Sequence, residues 1–310
     1  MWQLFLIKVG RALITLLACI SLSFFVIRLS GDPLDMLLAD DVPQSIRDEY
    51  RIRWGLDLPL HEQYAHYMLA AAKGDFGRSQ VDGRDAMAQV AERIPATLQL
   101  GAAVLFLALL IGIPAGLLAA LYRGTLIDRA VISVSIFGYA MPHFFFGTLL
   151  ILLFALRLRL LPSSGYGSFA HLVMPALTLG LSMAGKLARF VRTSVLDVLS
   201  QPFIRTAKGK NLPMSRVILH HVFPNAAIPV VTFLGFETGL LIGGAVVTET
   251  VFAWPGVGRL LVESVAKRDL AIVQAIILLI AASMTAANFL VDLAYGWLDP
   301  RVRSGSGRKM

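Results

Sequence analysis

Apolar and polar residues alternate along this chain in long blocks. Six stretches, at residues 12–27, 97–121, 130–156, 171–191, 226–247 and 270–291, carry little or no charge. A helix rises 1.5 Å per residue, so about 20 apolar residues cross the roughly 30 Å hydrocarbon layer of a bilayer. The pattern therefore predicts six transmembrane helices and an all-α, polytopic membrane protein. The fourth stretch departs from the rest. Lys186, Arg189 and Arg192 recur every three residues in its last turns, on one face, where long cationic side chains can reach an interface. One long polar segment, 30–96, separates the first and second stretches and holds twelve acidic residues against seven basic ones.

Composition agrees with this division. The 310 residues are 56% hydrophobic and only 15% charged, with mean hydropathy +0.70, against roughly 25% charged residues in soluble domains. A single cysteine, Cys19, rules out a disulfide scaffold within the chain. The net charge of +8 is distributed by topology. With both termini inside, the inner segments carry fifteen Lys and Arg and the short outer ones five, Arg157, Arg159, Arg259, Lys267 and Arg268. Cytoplasmic loops retain positive charge, so the N and C termini are expected in the cytoplasm and segment 30–96 in the periplasm. The basic excess then reads as an orientation signal beside anionic lipid, not as nucleic-acid binding. Lys8 and Arg11 ahead of an apolar run also have the form of a signal peptide, and Leu16-Leu-Ala-Cys19 approaches a lipoprotein cleavage box. The run continues through Phe24, Phe25 and Ile27, as a retained anchor does.

No phosphate-binding Gly-x-x-x-x-Gly-Lys-Ser/Thr loop, His-Glu-x-x-His pair or Gly-x-Ser-x-Gly elbow occurs, the nearest miss being Gly180-Leu-Ser-Met-Ala184. The sequence thus offers no catalytic residues, no metal ligands and no cofactor site, and any nucleotide energy must come from a partner. One acidic residue stands out inside the spans. A carboxylate at the depth of Glu237 is costly unless it meets a cavity or a partner. Gly235, Gly239 and Gly243 form a stripe for close helix packing. Glu237 lies about 200° from Gly235 around the helix, on the azimuth of Gly244 and Thr248. Two readings stay open: a hydrogen-bonded Glu packed between helices, or a pathway lining made by Glu237, Gly244 and Thr248. Gly112 and Gly116 repeat the small-x-x-x-small pattern and predict tight packing.

The segment between the fourth and fifth spans is the most informative. It runs Gln201-Pro-Phe-Ile-Arg-Thr-Ala-Lys-Gly-Lys-Asn-Leu-Pro-Met-Ser-Arg-Val-Ile-Leu-His-His-Val-Phe-Pro224 and reads as helix, turn, helix. A short helix ends at Asn211, which tolerates the left-handed conformation, and Pro213 suits the first turn of a second helix that stops near Phe223-Pro224. Basic on one side, such an elbow fits a groove on a soluble partner.

This segment resembles the signature loop of inner-membrane permeases of binding-protein-dependent ABC importers. Arg205-Thr206-Ala207 matches the Glu-Ala-Ala-like triplet, Phe223-Pro224 the Leu-Pro-like pair, and Asn211 stands where the family has glycine. Eight further blocks, in order, are similar to the dipeptide, oligopeptide and nickel branch: Arg28-Leu-Ser-Gly-Asp-Pro33, Gly74-Asp-Phe-Gly-Arg-Ser79, Arg93-Ile-Pro-Ala-Thr-Leu98, Pro142-His-Phe-Phe-Phe-Gly147, Leu161-Pro-Ser-Ser-Gly165, Trp254-Pro-Gly-Val-Gly258, Arg268-Asp269 and Leu298-Asp-Pro-Arg301. The Trp254 block reads as an interfacial aromatic followed by a tight turn.

The resemblance implies a type I importer transmembrane domain in the bacterial inner membrane. Its parts are an N-terminal end and first span (1–29), a periplasmic insertion (30–96), a five-helix core (97–300) with a coupling loop at 201–225, and a cytoplasmic tail (301–310). It implies that Arg205, Thr206, Ala207, Lys208, Asn211, Arg216, Phe223 and Pro224 couple to an ATPase. The implied partners are a second, homologous permease, two ABC ATPase subunits that bind ATP and Mg, and a periplasmic solute-binding protein. Short peptides are the implied substrate, with glutathione, nickel chelates and oligosaccharides as alternatives, moved by alternating access. The rival reading from another class is a proton-coupled secondary carrier using Glu237 as its relay.

Overall fold

The computed structural model describes residues 2–29, 42–53 and 55–298. The sequence blocks at 28–33 and 298–301 and the tail 301–310 lie wholly or partly outside that range. Among the described residues the chain is built of helices: α1 (Trp2–Leu29), α2 (Gln44–Arg53), α3 (Leu60–Ala72), α4 (Ala86–Leu121), α5 (Leu126–Ala140), α6 (His143–Leu150), α7 (Phe169–Leu199), α8 (Pro202–Gly209), α9 (Met214–Val217), α10 (Phe223–Gly244), α11 (Val246–Val251), α12 (Val257–Ala266) and α13 (Leu270–Leu298). Wider, π-helical turns follow α6 (Ile151–Arg157) and α9 (Ile218–Val222).

Among the described residues, four helical segments are long and apolar enough to cross a bilayer: Val9–Val26, Ala86–Leu121, Met214–Gly239 and Leu270–Val291. The predicted third span, 130–156, is two helices bent by 98°. Pro142 is the cause: it forces the preceding Met141 into extended backbone (ψ 128°), which ends α5. The predicted second span starts earlier than its apolar run, because the helix-favouring residues from Ala86 onward extend α4 to 36 residues, roughly 54 Å long. The predicted fourth span, α7, is not apolar enough to meet the same measure. Its sequence answers to helices and not to lipid, since sixteen of its residues are buried. Elsewhere large apolar side chains face outward, among them Leu13, Ile14, Leu22, Val134 and Phe137, the inverse of a soluble surface.

The chain forms two compact units, Met1–Pro95 with Arg259–Thr285, and Ala96–Gly258 with Ala286–Met310. In the first, α1 packs on α3 through Phe24, whose ring lies 5.4 Å from those of Tyr64 and Tyr67, and Ser21 shares a 2.7 Å hydrogen bond with Tyr64. Ser79, in a turn stabilised by its own amide donating to the Arg84 carbonyl at 2.8 Å, also donates its hydroxyl to the buried Asp269 carboxylate.

The second unit is organised around α7, which packs along α5, α6, α10 and α11. Glycines set the close approaches. A Cβ on Gly112 would lie 2.9 Å from the Ala184 carbonyl oxygen, one on Gly116 would overlap that of Ala188, and one on Gly185 would lie 2.7 Å from that of Ser135. In lipid, where hydrophobic exclusion does not drive helices together, such backbone contact is the main source of packing energy. Gly235 extends the theme, since a Cβ there would overlap Val291. Gly116→Ala is expected to destabilise the purified protein by about 1–3 kcal/mol through overpacking. Gly101→Ala on the same helix, where a Cβ meets nothing within 4 Å, is expected to leave the melting temperature unchanged or slightly raised; thermal unfolding in detergent measures both.

Candidate functional site

The elbow after α7 is held from inside and charged outside. Gln201 is extended and Pro202 takes the first helical position, so α8 starts sharply. Ile204 and Ala207 on one face are buried in the core cluster of the second unit, as are Val217 and Val222 beyond the turn. Arg205, Thr206, Lys208, Lys210 and Arg216 are exposed. Asn211 has φ +58°, the left-handed conformation in which Asn is the usual substitute for glycine. The triplet Arg205-Thr206-Ala207 thus puts two side chains outward and one inward.

Beyond the turn the structure differs from the sequence expectation of a stop at Phe223-Pro224. The helix continues through a π-helical turn at Ile218–Val222 into α10. Proline lacks an N–H and its ring crowds the carbonyl four residues back, and the wider turn just before it accommodates both. The Asn225 side-chain amide donates to the His221 carbonyl at 2.8 Å, which caps the irregularity. Phe223 and Pro224 are exposed at this junction.

The three cations of α7 are each paired with a neighbouring helix. Arg192 donates to both carboxylate oxygens of Asp128 on α5, at 2.6 and 2.8 Å, and the Gly124 amide adds a third hydrogen bond at 2.8 Å. Arg189 lies over the Tyr139 ring, 5.2 Å from its centroid, and donates to its hydroxyl. Lys186 donates to both oxygens of Glu237 on α10, at 3.2 Å each. Glu237 is therefore brought together with a residue of α7. Thr248 sits on the separate α11 and is 1% exposed, while the side of Gly244 lies outside the described residues.

The buried acid that sequence reasoning missed is Glu249, with 0% exposure. Thr97 donates its hydroxyl to the Glu249 carboxyl at 2.8 Å and accepts the Val257 amide at 2.8 Å. A Cβ on Gly256 would overlap the carboxyl group, and one on Gly258 would reach 2.6 Å from Val246 Cα. Trp254, read from the sequence as an interfacial aromatic, is enclosed by protein. It is 1% exposed, its indole N–H donates to the Ala96 carbonyl at 2.9 Å, and its amide donates to the Glu249 carbonyl at 2.8 Å. Gly165 donates its amide to the Phe252 carbonyl at 2.9 Å, and Gly147 lies against the Phe252 ring. Two of the recognised blocks therefore meet at the Glu249 carboxyl group, and two more meet at the neighbouring Phe252. The available signal was an acid set between apolar pairs, Val246-Val247 and Val251-Phe252, directly before Trp254-Pro-Gly.

The chain shares sequence and fold with known proteins. Residues 112–304 match the family model described as binding-protein-dependent transport system inner membrane component. The chain is 40% identical over 279 residues, 90% of its length and 91% of the relative's, to the glutathione transport system permease protein GsiC of Escherichia coli K12, with the same identity and coverage to that of Shigella dysenteriae serotype 1. Its fold is similar to that of inward-facing structures of the MetNI methionine ABC transporter, with TM-scores of 0.57 and 0.59 at 17% identity, covering 69% of this chain and 97% of the other.

Thr97→Val removes a hydroxyl that serves two buried partners, the Glu249 carboxyl and the Val257 amide. It is expected to cost about 1–3 kcal/mol or more, read as a lower melting temperature in detergent. Thr97→Ser, which keeps the hydroxyl, is expected to stay close to the parent.

Proposed function

Because the chain belongs to the inner-membrane components of binding-protein-dependent transport systems, in the dipeptide, oligopeptide and nickel branch of ABC importer permeases, we propose that it forms part of the path by which short peptides enter the cell. It is a multipass inner-membrane transport subunit, and ATP is hydrolysed on separate partner subunits. A proton relay on Glu237 then has no energetic role to fill. The 40% identity to glutathione permeases makes glutathione, itself a tripeptide, the first substrate to test within the peptide class.

The observation that carries the coupling mechanism is the elbow. Its exposed basic face, Arg205, Lys208, Lys210 and Arg216, docks on an ATPase subunit. Its buried anchors, Ile204, Ala207 and Val217, pass the displacement into the helices on either side. Asn211 fixes the angle of the turn, and Phe223 and Pro224 mark where the second arm enters the bundle. Closure of two ATPase subunits around ATP and Mg opens the path outward, and hydrolysis returns it, which is alternating access.

The path is completed by a second, homologous permease and fed by a periplasmic solute-binding protein. Segment 30–96 faces the periplasm, both termini face the cytoplasm, and α7 serves as the remaining span, shielded by its neighbours. Glu237 lines the path, and Gly244 and Thr248 belong to the region where α10 gives way to α11.

The test is reconstitution of the four kinds of subunit in proteoliposomes. Reversing Lys208, Lys210 and Arg216 to Glu is expected to leave the chain inserted while uptake of glutathione falls by about tenfold or more, within the range of typical coupling free energies. Uptake equal to that of the parent would count against the elbow as the point of coupling.

A further inference from the structure

The Lys186–Glu237 pair is unlike the other two ionic contacts of α7. Asp128 is buried and takes three hydrogen bonds, so the Arg192 pair is closed. Lys186 and Glu237 make only each other's contacts among the hydrogen bonds found, and the Lys186 side chain is 42% exposed against 14% for Glu237. A half-exposed ammonium beside a carboxylate is costly against lipid; such groups belong beside a water-filled cavity or a partner. Arg189, one turn further along α7, is exposed as well, with its guanidinium held over Tyr139. The chain thus sets the Lys186 ammonium against the Glu237 carboxylate, with the Arg189 guanidinium one turn along α7.

We infer that the Lys186–Glu237 ion pair is an exchange site for zwitterionic, peptide-like solutes, the solute carboxylate taking Lys186 and its ammonium taking Glu237. The inference rests on the peptide-permease reading above and names what the path reads. Its basis is charge balance. Breaking a pair at membrane depth strands one charge if the intruder is a simple anion or a simple cation, and a stranded charge is severely penalised. A solute with one ammonium and one carboxylate replaces the internal pair by two external ones, so neither side chain is left uncompensated. Arg189 adds a second carboxylate position, which suits solutes with two carboxylates and one ammonium. Because the pair re-forms when the solute leaves, the site holds its ligand only in transit.

The same pair links to the elbow. Lys186 is on α7, which leads into α8, and Glu237 is on α10, the helix that continues from the far arm of the elbow. A displacement of the elbow therefore acts on both members.

The experiment uses the complete importer in proteoliposomes with glutathione and dialanine as probes. Replacing a buried ion pair by apolar residues of similar size is often neutral or stabilising. The double variant Lys186→Met with Glu237→Leu is therefore expected to insert normally, while uptake of both probes drops by about tenfold or more. The conservative pair Lys186→Arg with Glu237→Asp is expected to retain uptake within a few fold. Should the apolar pair fold poorly, Lys186→Gln with Glu237→Gln, which keeps a hydrogen bond in place of the ion pair, makes the same comparison. Parent-like uptake in the apolar or the amide variant would overturn the exchange site and leave the peptide reading intact. Absence of ATP-dependent uptake of either probe by the parent complex would overturn the peptide reading and this inference with it.

Discussion

A charge inside a bilayer has no water to lean on, and the second unit of this protein is arranged around that constraint. Helix α7 carries three cations in its C-terminal half, and each is met by a neighbouring helix: Asp128 and Tyr139 from α5, Glu237 from α10. Meeting those partners requires the helices to lie close, and closeness is supplied by glycine. Gly112 and Gly116 let α4 approach the backbone of α7, and Gly185 lets α7 approach that of α5. Polar pairing and backbone contact are thus two halves of one solution, since a bulkier side chain at any of these glycines would hold the charged groups apart from their partners. That also explains why α7 is the least hydrophobic long helix. Its surroundings are mostly protein, so its sequence is free to carry charge.

A second polar cluster does a different job. Glu249, Thr97, Trp254 and the amide of Val257 are linked by buried hydrogen bonds. Two glycines, Gly256 and Gly258, leave the room in which the carboxyl group fits. The chain reverses sharply here, with Ala253 in the left-handed region at φ +49°. The hydrogen bond from Thr97 to the buried Glu249 carboxyl fixes that turn against α4. In the first unit, Ser79 and Asp269 make an analogous joint between an external turn and the start of α13. Sequence blocks that looked like separate turns prove to be the two halves of such joints.

What the sequence revealed and what it concealed divide along physical lines. Helices of strong apolar content, α1, α4 and α13, were legible because bilayer thickness sets their length directly. The elbow was legible because its punctuation, Pro202, Asn211 and Pro213, constrains backbone dihedrals locally. The bend at Met141-Pro142 lay inside an unbroken apolar run, and hydropathy does not register a proline. The continuity of the helix past Pro224 was hidden for the opposite reason: proline usually ends a helix, and a wider turn is a nonlocal accommodation. Glu249 was overlooked because it falls two residues beyond the apolar run, where an acid looks like a solvated end. Its partner Thr97 is 152 residues away in sequence, and no spacing rule connects them. Glu237 stood out as an acid in need of a cavity or a partner, and the choice of Lys186 required the crossing of two helices.

The mechanical consequence follows from where the elbow's anchors sit. Ile204, Ala207, Val217 and Val222 belong to the same apolar cluster as Leu187 and Val191 of α7 and Ala226 and Val230 of α10. Close-packed interiors transmit displacement because they resist compression. The cluster thus ties the inner face of the elbow to both α7 and α10. The ion pairs on α7 differ in closeness: Lys186 and Glu237 are at 3.2 Å, whereas Arg192 and Asp128 are at 2.6 Å with further support. The Arg192–Asp128 pair is shorter, more buried and joined by the Gly124 amide, so more hydrogen bonds must be broken to part it than to part Lys186 from Glu237. The two ion pairs of α7 thus differ in hydrogen-bond count and in burial.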